Sequence, residues 1–174
     1  MKTQIAFFIF TLLFVLSACR GEKKKVEKRE WSDNHSVDYN QEINEREQIQ
    51  INLFLAHYTN VKMTLTESGL RYMIYKQGPA GELAKTGQTA SIRVRVETLD
   101  RVVRYETEKE TAESFAIDKS EKESGIHEAL KYMKVGDRAK LILPSYLGHG
   151  LLGDRERIPP QAVLYIDLEL ISLK

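Results

Sequence analysis

Apolar and polar residues alternate along much of the C-terminal half of the chain. The alternation begins in Leu70–Tyr75 and is clearest in Thr89–Thr98, where one face is apolar and the other is charged. Val102–Glu106 follows closely enough to pair with Thr89–Thr98 as a hairpin. Arg138–Leu143 and Val163–Leu173 have the same strand-like character. The pattern therefore predicts an antiparallel sheet of five strands.

Two segments follow a helical period instead. In Glu42–Tyr58, apolar residues recur at roughly helical spacing among Glu, Gln and Arg, which predicts an amphipathic helix. Such a stripe usually packs on its own domain, while pairing with a second copy or binding a partner are the alternatives. Gly125–Met133 is predicted as a short helix, and Gly136 suits the positive-φ position at which a helix stops.

These elements indicate an α+β domain over residues 67–174, in which the five-stranded antiparallel sheet wraps on one short helix. An N-terminal helix region, residues 42–66, precedes this domain. The remaining segments are predicted as loops, of which Lys119–Ser124 and Pro144–Gln161 are the most prominent. Phe115 lies in a small apolar island ahead of the first of these loops.

The N-terminus has the pattern of a targeting segment. Lys2 is followed by an apolar run from Ile5 to Leu16, which is too short to span a bilayer comfortably and is typical of a signal peptide. The run ends in Leu16–Cys19, which resembles the lipobox of bacterial lipoproteins. We therefore expect residues 1–18 to be removed and Cys19 to be acylated. An ordinary secretory signal with an incidental cysteine is the alternative.

Residues 19–41 are expected to form a lipidated flexible tether, because they are polar and contain too few apolar side chains to fold. Acyl chains on Cys19 would hold the mature protein at a membrane. The run Lys23–Lys25 either touches anionic headgroups or belongs to a solvated spacer. Arg20 resembles the residue found after the cysteine in lipoproteins released to an outer membrane. The expected location is the bacterial cell envelope, facing the periplasm.

Composition excludes several classes of protein. The chain has 174 residues with 26 Lys and Arg against 25 Asp and Glu. Its formal charge of +1 lacks the excess of positive charge that nucleic-acid binding requires. One cysteine excludes a disulfide scaffold. The four histidines, at positions 35, 57, 127 and 149, share no metal-ligand spacing with each other or with Cys19, and no phosphate-binding glycine loop is present.

Five stretches of the C-terminal half carry a family resemblance: Gly125–Leu130, Met133–Pro144, Gly148–Gly150, Ile158–Pro160 and Leu164–Leu170. Together they resemble an FKBP-type peptidyl-prolyl isomerase. The resemblance extends from about Gly125 to the end of the chain, and weakly back to about Ser68–Leu70. It implies an FKBP-like fold and isomerase activity. Together with the lipobox and the tether, it also resembles the gliding-motility-associated lipoproteins of this family.

The chemistry implied by the resemblance needs no nucleophile, metal or cofactor, because no covalent bond of the substrate breaks. Amide resonance sets a barrier of about 18–20 kcal/mol to rotation of a peptide bond. An apolar preformed cavity lowers this barrier by removing the water that stabilises the planar amide and by fitting the twisted one. The implied partners are proline-containing segments of exported proteins.

The family's pocket positions fall on residues of mixed character. The resemblance assigns them to Val94, Tyr105, Glu106, Phe115, Glu123, Ile126, His149, Ile158 and Ile166. At Val94, Ile126 and Ile166 the family's aromatic rings are replaced by aliphatic side chains, which are also simply explained as core residues. Lys122 and Glu123 replace two apolar residues and are also explained as a solvated loop. His149 replaces a tyrosine that hydrogen-bonds ligands, and a site role and a purely loop role are equally open.

Two functions follow from these assignments. The first is a membrane-anchored peptidyl-prolyl isomerase with lower activity than relatives that keep the aromatic walls. The second is a non-catalytic FKBP-like lipoprotein that binds extended segments of envelope proteins as a chaperone or assembly factor, which the charged segment Lys119–Ser124 favours.

Overall fold

The computed structural model describes residues 33–59 and 61–174, and residues 34–174 form one compact unit. The predicted signal peptide, Cys19 and the first part of the predicted tether lie outside the described residues. No helix in the described part of the chain is both long enough and apolar enough to cross a membrane.

The α+β class is confirmed. Within the described residues the helices are α1 (Asp33–His57) and α2 (Ser124–Leu130), and the loop between the last two strands holds short 3₁₀ turns at Ser145–Leu147 and Gly150–Leu152. The strands are β1 (Thr64–Leu65), β2 (Arg71–Lys76), β3 (Thr89–Thr98), β4 (Val103–Glu106), β5 (Glu113–Ala116), β6 (Arg138–Leu143) and β7 (Leu164–Leu173).

In the part of the chain that the structure describes, the sheet has seven strands, two more than the five predicted. The additional strands are β1, of two residues, and β5, of four. Segments this short show too little alternation to be separated from loops by their sequence. Phe115 therefore lies on a strand that pairs with β3, with Phe115 opposite Ala90, and not in an isolated apolar island.

All the strand pairs are antiparallel, and the order is β1-β2-β6-β7-β3-β4, with β5 also paired to β3. Because side chains alternate between the two faces of a strand, the apolar set of each strand lies on one face. The register places Val94 opposite Leu168 and Val96 opposite Ile166. These residues and their neighbours pack with Leu130 of α2 in the main core.

Helix α1 covers a second apolar cluster. Ile51 and Phe54 of α1 are buried with Ile142 of β6, with Tyr165 of β7 and with Val163, which directly precedes β7. Ile142 and Tyr165 alternate with residues of the main core, so this cluster lies on the other face of the sheet. The sheet is thus covered by α2 on one face and by α1 on the other.

The prediction for the start of α1 needs correction. The helix begins at Asp33 and not at Glu42, so residues 33–41, predicted as tether, are helical. Val37 and Tyr39 in this part are 54% and 40% exposed. Because residues 33–41 bury so little apolar surface, their sequence shows no apolar stripe from which a helix could be predicted. At its other end α1 stops at His57, one residue before the predicted Tyr58.

Candidate functional site

An open cavity of about 500 Å³ lies between β5, the start of α2 and the loop after β6. Its lining consists of Glu113, Ser114, Phe115, Ser120, Glu121, Lys122, Glu123, Ser124, Gly148 and His149. The fold therefore brings together three of the predicted pocket residues, Phe115, Glu123 and His149, from three separate elements. Most of the lining is polar or charged, and Phe115 is its one aromatic wall.

His149 and Glu123 form the central polar contact of this cavity. His149 Nε2 lies 2.9 Å from Glu123 Oε1, and 27% and 14% of their side chains are exposed. In a neutral imidazole only one nitrogen carries a proton, so an Nε2 that donates to the carboxylate leaves Nδ1 as an acceptor. The ligand-donating role that the resemblance implied for His149 then requires the pair to open or Nδ1 to be protonated.

Lys122 neutralises part of the negative charge in the cavity. Its Nζ lies 2.6 Å from Glu113 Oε2 and 3.7 Å from Glu123 Oε2. Glu123 Oε2 is buried and accepts no hydrogen bond within the described structure, so the ammonium is its nearest compensation. Lys122 and Glu123 are therefore engaged in a charge network, which differs from a freely solvated loop.

The aliphatic pocket candidates lie in the main core. Val94, Ile126, Ile158 and Ile166 are each at most 4% exposed and pack in one cluster. None of the four belongs to the lining of the cavity. The positions of Val94, Ile126 and Ile166 match their interpretation as core residues.

Tyr105 and Glu106 face opposite sides of the sheet, because the register pairs Tyr105 with Val96 and Glu106 with Arg95. Glu106 accepts two hydrogen bonds from Arg95 Nη1, both at 3.1 Å, on the charged face, away from the cavity. Tyr105 packs against the main core, and its hydroxyl donates to Asp154. The structure thus separates two neighbours that the resemblance had placed in one pocket.

Asp154 is an organising residue that the sequence analysis missed. Its Oδ1 accepts hydrogen bonds from the backbone N–H groups of Glu156, Arg157 and Ile158 at 2.9, 2.9 and 2.7 Å. Burial raises the pKa of the Asp154 carboxyl, but the hydrogen bonds from Tyr105 and these three amides outweigh it and lower the pKa well below its ordinary value. An Asp directly after Gly153 in a long loop was the available signal, because Asp commonly caps turns in this way.

His127 is a second missed residue. Its ring lies edge-on to Phe115, with centroids 5.4 Å apart, and is almost fully buried. Nδ1 accepts a hydrogen bond from the Asp118 N–H at 3.0 Å, which assigns the proton to Nε2, 3.3 Å from the Ser120 carbonyl oxygen. His127 therefore holds the aromatic wall and the preceding loop together. Its position among the apolar residues of a predicted helix was the available signal.

The arrangement suits binding and orientation of a peptide. The described residues bring no three His, Asp or Glu side chains together in a way that could hold a metal ion. One aromatic face, an imidazole and a charge network converge on a cavity with room for a few residues of an extended chain. Such groups act on a peptide bond by shape and hydrogen bonding.

Comparison with known families gives a clear match. Residues 81–171, just over half of the chain, match the family model described as FKBP-type peptidyl-prolyl cis-trans isomerase. The FKBP-type peptidyl-prolyl cis-trans isomerase FkpA of Buchnera aphidicola subsp. Schizaphis graminum is 33% identical over 128 residues, which are 72% of this chain and 50% of that protein. FkpA of Aeromonas hydrophila is 32% identical over 110 residues, 63% of this chain and 40% of that protein. The chain thus spans half or less of the length of these relatives.

Solved structures share the fold. The N-terminal domain of FKBP42 from Arabidopsis thaliana superimposes with a TM-score of 0.61 at 22% identity, covering 66% of this chain and 93% of that one. A peptidyl-prolyl cis-trans isomerase from Pseudomonas syringae pv. tomato gives 0.60 at 20% identity, covering 73% and 92%. At such identities the comparison establishes the fold alone.

Proposed function

Because the chain belongs to the FKBP-type peptidyl-prolyl cis-trans isomerase family, we propose that it catalyses rotation about X-Pro bonds in extended segments of exported proteins. The observation that carries this proposal is the convergence of Phe115, Glu123 and His149 on one open cavity within the family-matched residues. The substrate's proline packs against Phe115. The backbone N–H of Glu123 or a proton of His149 binds a carbonyl oxygen next to the rotating bond.

The catalytic effect is physical and not covalent. The peptide leaves water for a cavity that is partly closed by Phe115 and by the loop of His149, so the planar amide loses part of its solvation. Hydrogen bonds that fit the twisted amide better than the planar one lower the barrier further. Each hydrogen bond of this kind contributes about 0.5–1.5 kcal/mol, or roughly a two- to twelvefold increase in rate.

We propose further that activity is lower than in relatives with an apolar aromatic pocket. The support is the lining, in which Glu113, Lys122 and Glu123 form a charge network, while Ile126 is fully buried and does not line the cavity. Charged groups keep water near the substrate, which weakens the desolvation on which the rate depends.

An isomerisation assay on proline-containing peptides tests the activity. We expect the full chain to accelerate isomerisation and His149→Ala to lower kcat/KM by about two- to twelvefold, the worth of one hydrogen bond. Phe115→Ala should also lower kcat/KM, because it removes the aromatic surface on which the proline packs. Leu152→Ala is the matched control, because Leu152 is 62% exposed in the same long loop and does not line the cavity. Equal activity of all four proteins would show that the cavity takes no part in catalysis.

We also propose that the chain is a lipoprotein of the bacterial cell envelope, anchored through Cys19 in the outer membrane. The support is the lipobox-like Leu16–Cys19 and its combination with an FKBP domain, which resembles gliding-motility-associated lipoproteins. Expression of the Cys19→Ser variant should move the protein from the membrane fraction to the soluble fraction and abolish labelling by a fatty acid. Unchanged fractionation and labelling would refute the anchor.

A non-catalytic binding role is the second candidate, and the charged lining of the cavity favours it. A binding module holds an extended segment without needing to desolvate the prolyl bond. In that case the full chain suppresses aggregation of an unfolded client protein while leaving peptide isomerisation at the uncatalysed rate. Acceleration of peptide isomerisation by the full chain, lost in His149→Ala, would contradict this role.

A further inference from the structure

Helix α1 contacts two segments of the loop between β6 and β7, the loop that carries His149, although α1 lies outside the family-matched residues 81–171. One contact is to the 3₁₀ turn Ser145–Leu147, which leads directly to Gly148 and His149. The other is to Gln161, which follows the Ile158–Pro160 turn. Helix α1 is therefore placed to fix the geometry of the site from the opposite side of the sheet.

Glu47 makes the first of these contacts. Its side chain is 1% exposed, and its Oε2 accepts a hydrogen bond from the backbone N–H of Ser145 at 2.9 Å. A buried carboxylate is costly unless it is hydrogen-bonded, and its other oxygen, Oε1, has no hydrogen-bond partner among the described residues. The burial of Glu47 thus depends chiefly on the Ser145 amide, and the position of that amide depends on Glu47.

The turn that Glu47 holds is connected to both halves of the His149–Glu123 pair. Within the turn, Gly148 N–H donates to the Ser145 carbonyl at 3.0 Å, so Gly148 is fixed relative to Ser145. The Leu147 carbonyl lies 3.4 Å from the hydroxyl of Ser124, the residue after Glu123. A displacement of Ser145 therefore reaches His149 along the chain and the Glu123 segment across this contact.

A second contact of α1 links the turn to the other segment of the loop. Gln161 accepts a hydrogen bond from Arg46, donates to the Tyr39 hydroxyl at 2.8 Å, and donates its backbone N–H to the Gly150 carbonyl at 3.1 Å. Consecutive residues Arg46 and Glu47 thus hold segments on both sides of Gly150. A site that acts by geometry depends on fixed supports of this kind.

We propose that Glu47 is a positioning residue of the isomerase site: by binding the Ser145 amide it holds the turn that places His149 against Glu123. This role rests on the proposed function. In this role α1 contributes to the geometry of the site in addition to covering one face of the sheet.

The test separates the effect of side-chain length at position 47 from the effect of its charge. Glu47→Asp keeps the charge but withdraws the carboxylate by about one C–C bond, about 1.5 Å, so the bond to Ser145 is lost. Glu47→Gln keeps both the length and an acceptor oxygen but removes the charge. Glu45→Gln is the control, because Glu45 is exposed on the same helix. The full chain and the three variants are assayed with a proline-containing peptide at a temperature where unfolding measurements show all four to be folded.

We expect Glu47→Asp to lower kcat/KM about tenfold, Glu47→Gln to keep at least half of it, and Glu45→Gln to stay within about twofold of the unaltered chain. Amide hydrogen exchange of Ser145 and Gly148 should be slow in the unaltered chain and faster in Glu47→Asp. A merely structural role changes the free energy of unfolding but leaves kcat/KM of the folded protein unchanged.

Two results would overturn the role of Glu47. One is that the unaltered chain is active and the Glu47→Asp variant keeps the same kcat/KM. The other is an unaltered chain in which the Ser145 amide exchanges as fast as amides of exposed loops, a measurement that needs no variant to fold. Absence of isomerase activity in the unaltered chain would instead refute the proposed function, and the role of Glu47 in isomerisation with it.

Discussion

At the scale of single residues, Asp154 shows how one side chain organises a loop. Its carboxylate binds three successive backbone amides and the Tyr105 hydroxyl, and these bonds hold its pKa below the ordinary range in spite of burial. A folded-state pKa below the unfolded one means that the ionised group stabilises the fold. That stabilisation is present above the unfolded pKa of about 3.9 and is lost as the pH falls below it.

Replacing Asp154 by Asn should therefore reduce stability most at neutral pH. We expect a lower urea midpoint for the variant at pH 6, because the amide cannot ionise and accepts the same hydrogen bonds more weakly. The difference from the unaltered chain should narrow at pH 3, because there the Asp154 carboxyl of the unfolded chain takes up a proton while that of the folded chain stays ionised. Urea unfolding at the two pH values measures this, with Glu156→Gln in the same loop as control. A difference that is the same at both pH values would contradict the argument.

Gly136 tests backbone strain at a single position. Its φ is +88°, and a Cβ there would lie 2.9 Å from Pro79 Cδ and 3.0 Å from Gly78 Cα. We expect Gly136→Ala to reduce the free energy of unfolding by about 1–3 kcal/mol, as measured by urea denaturation. Gly81→Ala is the control, since nothing lies within 4 Å of its added Cβ. Equal effects of the two substitutions would show that the positive φ carries no cost.

At the scale of elements, α1 is integrated through its C-terminal half. Phe54 is 7% exposed and lies with its ring centroid 5.1 Å from that of Tyr165, while its neighbour Leu53 is 58% exposed. Phe54→Ala should reduce the free energy of unfolding by about 3–5 kcal/mol. Leu53→Ala should change it by less than about 0.5 kcal/mol. Urea denaturation of both variants measures this, and a small effect of Phe54→Ala would show that α1 does not depend on this packing.

The elements also show which patterns are readable from sequence. Thr89–Thr98 and Arg138–Leu143 were predicted with the bounds that the structure has, because each has enough alternating positions to identify its faces. The start of α1 and the short strand β5 were not predicted. Their residues bury too little surface, or are too few, to impose a period on the sequence.

At the scale of the whole molecule, the sheet joins the two apolar clusters. In β6, Leu141 belongs to the cluster beneath α2 and Ile142 to the cluster beneath α1; in β7, Leu164 and Tyr165 divide in the same way. Loss of either helix therefore exposes one face of the same strands. We expect residues 34–174 to unfold as one cooperative unit.

The cooperativity is measured by urea unfolding followed with two probes. Far-UV circular dichroism reports on the helices, and near-UV dichroism of the tyrosines reports on packing. The two curves should coincide in midpoint and slope for the full chain, and both should shift together in Phe54→Ala. An earlier loss of helical signal would show that α1 detaches before the sheet unfolds.

By itself, the sequence determined the fold class, the family and the candidate positions of the pocket. These follow from local periodicity and from motifs such as Gly125–Leu130 and Ile158–Pro160, in which neighbours along the chain carry the information. The tertiary structure alone decided which candidates meet. His149 and Glu123 are far apart in sequence yet lie 2.9 Å apart, whereas the adjacent Tyr105 and Glu106 face opposite sides of a sheet. Contacts between loops depend on how distant elements pack, and no local pattern records that arrangement.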